Sequence, residues 1–203
     1  MLASPALAGD LAFVTSQNAD MVTLVDTATG TVLARTPVPG KPAPVAYDPA
    51  AGHAYVIAAD TGRLFVLDEQ GGITESLDLG EGAFGLAAAL GGGLFVTDWY
   101  GARLIHLDND LQKMWEVPTG AAPAGVAVSD DGQWVATADR DADAVSIFDA
   151  QSGALLHRVA TAGPHPFGIT WHGGRFWTAD VQGDTVSVID PVAGSLAGQV
   201  PTG

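Results

Sequence analysis

Short, mostly apolar phrases recur down this chain, and each closes on an aspartate and a turn. VTLV, LFVL, LIHL, VSIF and VSVI run into Asp26, Asp68, Asp108, Asp149 and Asp190. The steps between those aspartates are 42, 40, 41 and 41 residues. A fixed period of this length marks stacked copies of one supersecondary unit, none of which buries its apolar surface alone.

Residues 121–163 show the unit. Pro-Ala-Gly-Val-Ala-Val over 123–128 predicts a strand, and Ser-Asp-Asp-Gly over 129–132 a tight hairpin. Trp-Val-Ala-Thr at 134–137 predicts a second strand. Ala-Val-Ser-Ile-Phe at 144–148 predicts a third, after a loop at 139–143, and Leu-Leu-His-Arg-Val at 155–159 a fourth. No segment has helical length and spacing. The same grammar starts second strands at Leu11, Ala54, Leu94, Trp134 and Phe176, and puts fourth strands near Val32, Ile73, Met114, Leu155 and Leu196. Four antiparallel strands in about 40 residues make one blade of a β-propeller. The strands are often apolar at consecutive positions, whereas a half-exposed sheet alternates. Both faces are therefore expected to be covered by neighbouring blades. A β-sandwich would leave the period unexplained.

The expected fold is thus all-β: a β-propeller of four-stranded antiparallel blades in five repeats, with an incomplete ring. The units are 11–40, 41–80, 81–120, 121–163 and 164–203. The strands total 19, three in the first unit and four in each of the others. Gly40, Gly80, Gly120 and Gly163 precede the inner strands, and Gly203 stands where another would begin. A piece of a longer, seven-bladed propeller is expected, with a short five-bladed ring as the alternative. Uncovered blade faces would then favour self-association.

Composition narrows the function. Hydrophobic residues at 47% against 15% charged exclude a disordered chain. The net charge of -15 repels phosphate backbones, so nucleic acid is not an expected partner. No run approaches the roughly 18 apolar residues of a membrane span. The absence of cysteine excludes disulfides, thiolate metal sites and haem attachment through cysteine. Ala6-Leu7-Ala8 after Pro5 has the small-x-small form of a signal-peptidase site, so residues 1–9 are expected to be a signal-peptide remnant or a disordered tail. The expected location is periplasmic or secreted.

Pro123-Ala-Gly125-Val-Ala127, Phe95-Val-Thr97-Asp98, Val186-Ser-Val-Ile-Asp190 and Asp26-Thr-Ala-Thr-Gly30 together resemble the repeat of YVTN-type β-propeller proteins. The resemblance runs from Leu11 to Gly203. It implies the propeller fold and leaves activity open, because the wider group includes the large subunit of quinoprotein amine dehydrogenases and a haem-binding propeller. Residues 163–180 also resemble the repeats of streptogramin lyases, which are propeller enzymes.

The aspartates that end the third strands suit turn amides, and their recurrence argues against catalysis. Function is expected where loops leave the repeat, on the face shared by the turns before inner strands and the loops after second strands. Asp98, Trp99, Tyr100, Asp139, Asp141, His165 and Phe167 are the binding candidates there. Trp99 and Tyr100 are either interface anchors or a cover over the channel. Asp139, Asp141 and Asp143 alternate as in a calcium loop, but Ala144 and Ala150 replace its glycine and glutamate. No metal or cofactor is therefore expected. For catalysis the weak candidate pair is His165 and Asp180. The favoured function is an exported binding or scaffold module with a protein or small-molecule partner at the loop face. The alternative is an enzyme or enzyme subunit, streptogramin-lyase-like or acting in periplasmic quinoprotein oxidation.

Overall fold

The aspartates at the strand ends fold the chain by closing Asx turns. Asp26 Oδ1 accepts the amides of Ala28 (2.9 Å) and Thr29 (3.0 Å), and Asp190 Oδ1 those of Val192 and Ala193 (both 3.0 Å). Asp68, Asp108 and Asp149 hold their turns in the same way. Each turn reverses the chain from a third strand into a fourth.

The computed structural model describes residues 10–203. The expected signal-peptide remnant at 1–9 lies outside the described residues. Five antiparallel sheets follow in order. The first has three strands, β1 (Leu11–Ser16), β2 (Met21–Asp26) and β3 (Thr31–Pro37). The second contains β4 (Pro42–Asp48), β5 (His53–Ala58), β6 (Arg63–Leu67) and β7 (Ile73–Asp78). The third contains β8 (Ala83–Ala88), β9 (Leu94–Asp98), β10 (Arg103–Leu107) and β11 (Lys113–Pro118). The fourth contains β12 (Pro123–Val128), β13 (Trp134–Asp139), β14 (Ala144–Asp149) and β15 (Leu155–Ala160). The fifth contains β16 (Pro166–His172), β17 (Arg175–Asp180), β18 (Thr185–Asp190) and β19 (Ser195–Pro201). Each sheet is a plain meander with its first strand innermost, so this is a β-propeller whose sheets do not close into a ring. Two short 3-10 turns, Gln17–Ala19 and Arg140–Ala142, are the only helical segments among the described residues. No described helix is long and apolar enough to cross a membrane.

The consecutive apolar residues bury alternately in two seams. On β5, Ala54 and Val56 pack toward the first sheet while Tyr55 and Ile57 pack toward the third. On β9, Leu94 and Val96 face the second sheet and Phe95 the fourth. Four apolar clusters thus fill the four seams between five sheets. The end sheets keep apolar side chains in solvent, with Val14 and Val32 on the first and Leu196 and Val200 on the fifth.

Close approach of the inner strands adds a second constraint. Gly85 donates its amide to Thr97 Oγ1 (2.6 Å), and that hydroxyl donates to the Ala124 carbonyl of the next sheet (2.9 Å). A Cβ at Gly85 would stand 2.1 Å from that carbonyl, and one at Gly125 would stand 2.7 Å from the Phe167 carbonyl. At Gly168, on the last inner strand, a Cβ would meet nothing within 4 Å. We therefore expect Gly85→Ala to cost about 2 kcal/mol or more, because neither backbone can yield. Gly168→Ala should stay within about 0.5 kcal/mol of the parent. Urea unfolding midpoints at constant slope check both; equal losses would refute the seam argument.

Candidate functional site

Backbone hydrogen bonds fasten the loops after second strands to the turns before inner strands. Trp99 donates its amide to Gly82 O (2.7 Å), Arg140 to Ala122 O (3.0 Å), Asp141 to Ala121 O (3.1 Å) and Val181 to His165 O (3.0 Å). Both kinds of segment therefore share one face, at the mouth of the space between the inner strands.

Three aromatic rings meet at that mouth. Phe84 lies edge-on to Trp99 (centroids 5.1 Å apart) and to Phe167 (5.7 Å), and Trp99 lies 6.2 Å from Phe167. Phe84 and Phe167 occupy the repeat position held by Ala43 and Ala124 in the second and fourth sheets. The small Ala124 between them lets the two rings touch across a blade. Beneath the rings is a cavity of about 400 Å³, walled by Pro44, Phe84, Leu86, Val126, Phe167 and Ile169, with Gln17 as its polar side chain. A smaller one of about 170 Å³ shares Phe84 as a wall and is also lined by Trp99 and Tyr100. Tyr100 is 77% exposed.

A polar arm continues from Trp99. The Arg140 guanidinium lies 5.8 Å from the Trp99 ring and pairs with Asp141. His165 Nδ1 is 3.2 Å from Arg140 O and 3.8 Å from Asp141 Oδ1. His165 has a left-handed backbone (φ 58), held by its amide donating to Asp143 Oδ1 (2.8 Å). The structure thus brings together Trp99, Asp141, His165 and Phe167 of the sequence candidates, with Tyr100 beside them.

The other acids lie beneath the face. Asp98, Asp139 and Asp180 end β9, β13 and β17 at steps of 41 residues, forming a second periodic row. Asp139 is fully buried and accepts from Thr137 Oγ1 (2.7 Å), Ser146 Oγ (2.5 Å) and Gly120 N (3.0 Å). Asp180 accepts from Thr178, Thr185 and Ser187 hydroxyls (2.9, 2.9 and 2.6 Å) and from Gly163 N (3.2 Å). Asp98 accepts from Gly101 N and Arg103 Nε, both at 2.7 Å. Each carboxylate anchors the turn before an inner strand or its own loop. Asp139, Asp141 and Asp143, which alternate in sequence, do not converge: Asp139 is buried against Thr137, Ser146 and Gly120, whereas Asp141 and Asp143 both approach His165. Among the described residues no three His, Asp or Glu side chains gather as metal ligands. His165 and Asp180 likewise use different side-chain partners.

No protein-family model matches the chain, and neither does any curated protein sequence. Solved structures do. Streptogramin B lyase superposes with a TM-score of 0.81 at 18% identity, over 94% of this chain and 65% of that one. A chain of the nidogen/laminin complex gives 0.77 at 15%, over 96% and 76%. Kuenenia stuttgartiensis hydrazine synthase gives 0.70 at 18%, over 81% of this chain and 49% of its own. The chain spans about half of the hydrazine synthase chain and about two thirds of the lyase. The fold is therefore that of a β-propeller. Within that class its architecture is like that of the streptogramin lyases.

Two outcomes follow from this geometry. A double-mutant cycle on Phe84→Ala and Phe167→Ala should give a coupling of about 0.5–1.5 kcal/mol in urea unfolding, the worth of an edge-to-face pair. Burial raises the Asp139 pKa above its ordinary 3.8, against the opposing hydrogen bonds of Ser146, Thr137 and Gly120. A raised carboxyl pKa favours the fold at low pH and loses that contribution as pH rises through the folded-state value. Asp139→Asn should therefore remove a downward component of stability that sets in above about pH 4, seen as a flatter fall in unfolding midpoints as pH is raised.

Proposed function

We propose that this chain is an exported binding module whose loop-lined face takes a protein segment or small molecule bearing an apolar ring. The observation that carries this reading is the Phe84–Trp99–Phe167 cluster above a cavity of about 400 Å³. Half-buried aromatics with one accessible side, flanked by the exposed Tyr100, have the form of interface anchors. The deeper acids are engaged in turn hydrogen bonds, which supports platform over catalyst. Arg140 and Asp141 supply polar contacts at the rim, and the exposed apolar faces of the end sheets favour self-association.

The likeness to streptogramin B lyase and the His165–Asp141 approach at the mouth favour a second reading, an enzyme or enzyme subunit. One experiment separates the two. Labelled protein titrated with indole should show saturable shifts at the amides of Gly85, Ala124 and Phe167, and Phe167→Ala should abolish them. In parallel, incubation with a streptogramin B should leave the compound intact by chromatography. Consumption that is lost in His165→Ala would replace the binding reading with the enzymatic one.

A further inference from the structure

The smaller cavity at the mouth, of about 170 Å³, combines aromatic rings with a single acid. Phe84, Trp99 and Tyr100 line it together with the carboxylate of Glu81. The Phe84 and Trp99 rings stand at 60° to each other with centroids 5.1 Å apart, so they meet as two walls of a corner. The corner is built in advance. Trp99 donates its amide to Gly82 O (2.7 Å), and Asp98 Oδ1 accepts the Gly101 amide (2.7 Å), so the loop carrying Trp99 and Tyr100 is held from both ends. Gly82 has to stay without a side chain, because a Cβ there would stand 1.8 Å from Asp98 Oδ1.

The charge at this corner is negative. Glu81 is exposed and, among the described residues, neither accepts a hydrogen bond nor joins an ion pair. No basic side chain lines the cavity. Lys41 and Arg140 of the same face are already matched, by Asp60 (2.9 Å) and Asp141. An anion is therefore repelled. A divalent metal ion needs several oxygen ligands, and the described residues gather no three acidic or imidazole groups. Aromatic rings attract cations through their quadrupole, and the Trp99 ring already draws the Arg140 guanidinium to 5.8 Å from its centroid. A primary ammonium carries three N–H donors and is strongly hydrated, so one carboxylate leaves it short of partners. A quaternary ammonium has no N–H to satisfy and presents methyl groups to the rings.

We propose that this corner binds a trimethylammonium group, its methyls against Phe84, Trp99 and Tyr100 and its charge beside Glu81. A choline-like small molecule and a trimethylated lysine side chain carry the same group. The corner shares Phe84 with the larger cavity, but it does not rest on ring binding there.

The test is a titration of labelled protein with tetramethylammonium chloride at constant ionic strength, followed at the Gly82 and Gly101 amides. Saturable shifts are expected. Tyr100→Ala should weaken the affinity about fivefold, and Tyr100→Phe, which keeps the ring, should hold it near the parent value. Glu81→Gln should weaken it about threefold, the worth of an exposed charge pair. Both side chains are exposed, so these variants keep the fold. Phe167→Ala, which should abolish indole binding, should still give saturable tetramethylammonium shifts, so the two sites stand or fail separately. Choline and a trimethyllysyl peptide, in separate arms, should shift the same amides, and the tighter of them names the source of the group. No saturable shift, equal shifts with neutral tert-butanol, or undiminished affinity in both Tyr100→Ala and Glu81→Gln would each overturn the proposal.

Discussion

A sheet apolar on both faces has to be sandwiched, and nearly every other property of this molecule follows from that requirement. Tyr55 and Ile57 need the third sheet, and Ala54 and Val56 need the first. Burying a side chain of that size is worth roughly 1.5–3 kcal/mol, so the seams dominate stability. They also set tolerances. Two backbones approach closely enough at Gly85 and Gly125 that a methyl group has no room, and Thr97 bridges the junction with its hydroxyl. Because an apolar cluster fills each seam, the sheets stack side by side and their inner strands line one space.

Two rows of aspartate then divide the labour of turning the chain. The row at the ends of third strands closes the outer hairpins in solvent, where the Ser152 hydroxyl and turn amides hold the Asp149 pKa, and turn amides with Arg175 the Asp190 pKa, below the usual carboxylate range. The row at the ends of second strands is buried and ties the mouth together. Asp139 reaches Gly120 and Asp180 reaches Gly163, so each fixes the turn that launches an inner strand. The loops of the mouth stand on this second row. A loop residue such as Trp99 holds its position because Asp98 binds Gly101 and Arg103 beneath it.

The period, the strand count and the two-sided burial were legible in the sequence because each is a local pattern repeated five times. Second strands begin at His53 and Arg175, one residue before the expected Ala54 and Phe176, where polar side chains start the hairpin partner. The site was only partly legible. Trp99, Tyr100 and Phe167 stand out as aromatics where the repeat is otherwise small or polar. Phe84 does not stand out inside an apolar strand; it emerges only when Ala43, Phe84, Ala124 and Phe167 are aligned by register. Asp98 and Asp139 look like loop acids one by one, although their spacing of 41 from each other and on to Asp180 marks them as scaffold.

Repetition also explains where recognition can reside. A ring of identical units offers identical surfaces, and a ligand without that symmetry gains nothing from them. Specificity needs a position where the repeat breaks without disturbing a seam. The residue that follows the first of each inner strand is such a position, since its side chain projects into the channel and not into the neighbouring sheet. Alanine there in the second and fourth sheets leaves space, and phenylalanine in the third and fifth fills it from two sides. The seam glycine directly after Phe84 is kept, so this asymmetry leaves the packing constraint intact. The molecule therefore carries a one-sided aromatic surface on a symmetric frame, and changes at the mouth can alter that surface while the seams continue to hold the fold.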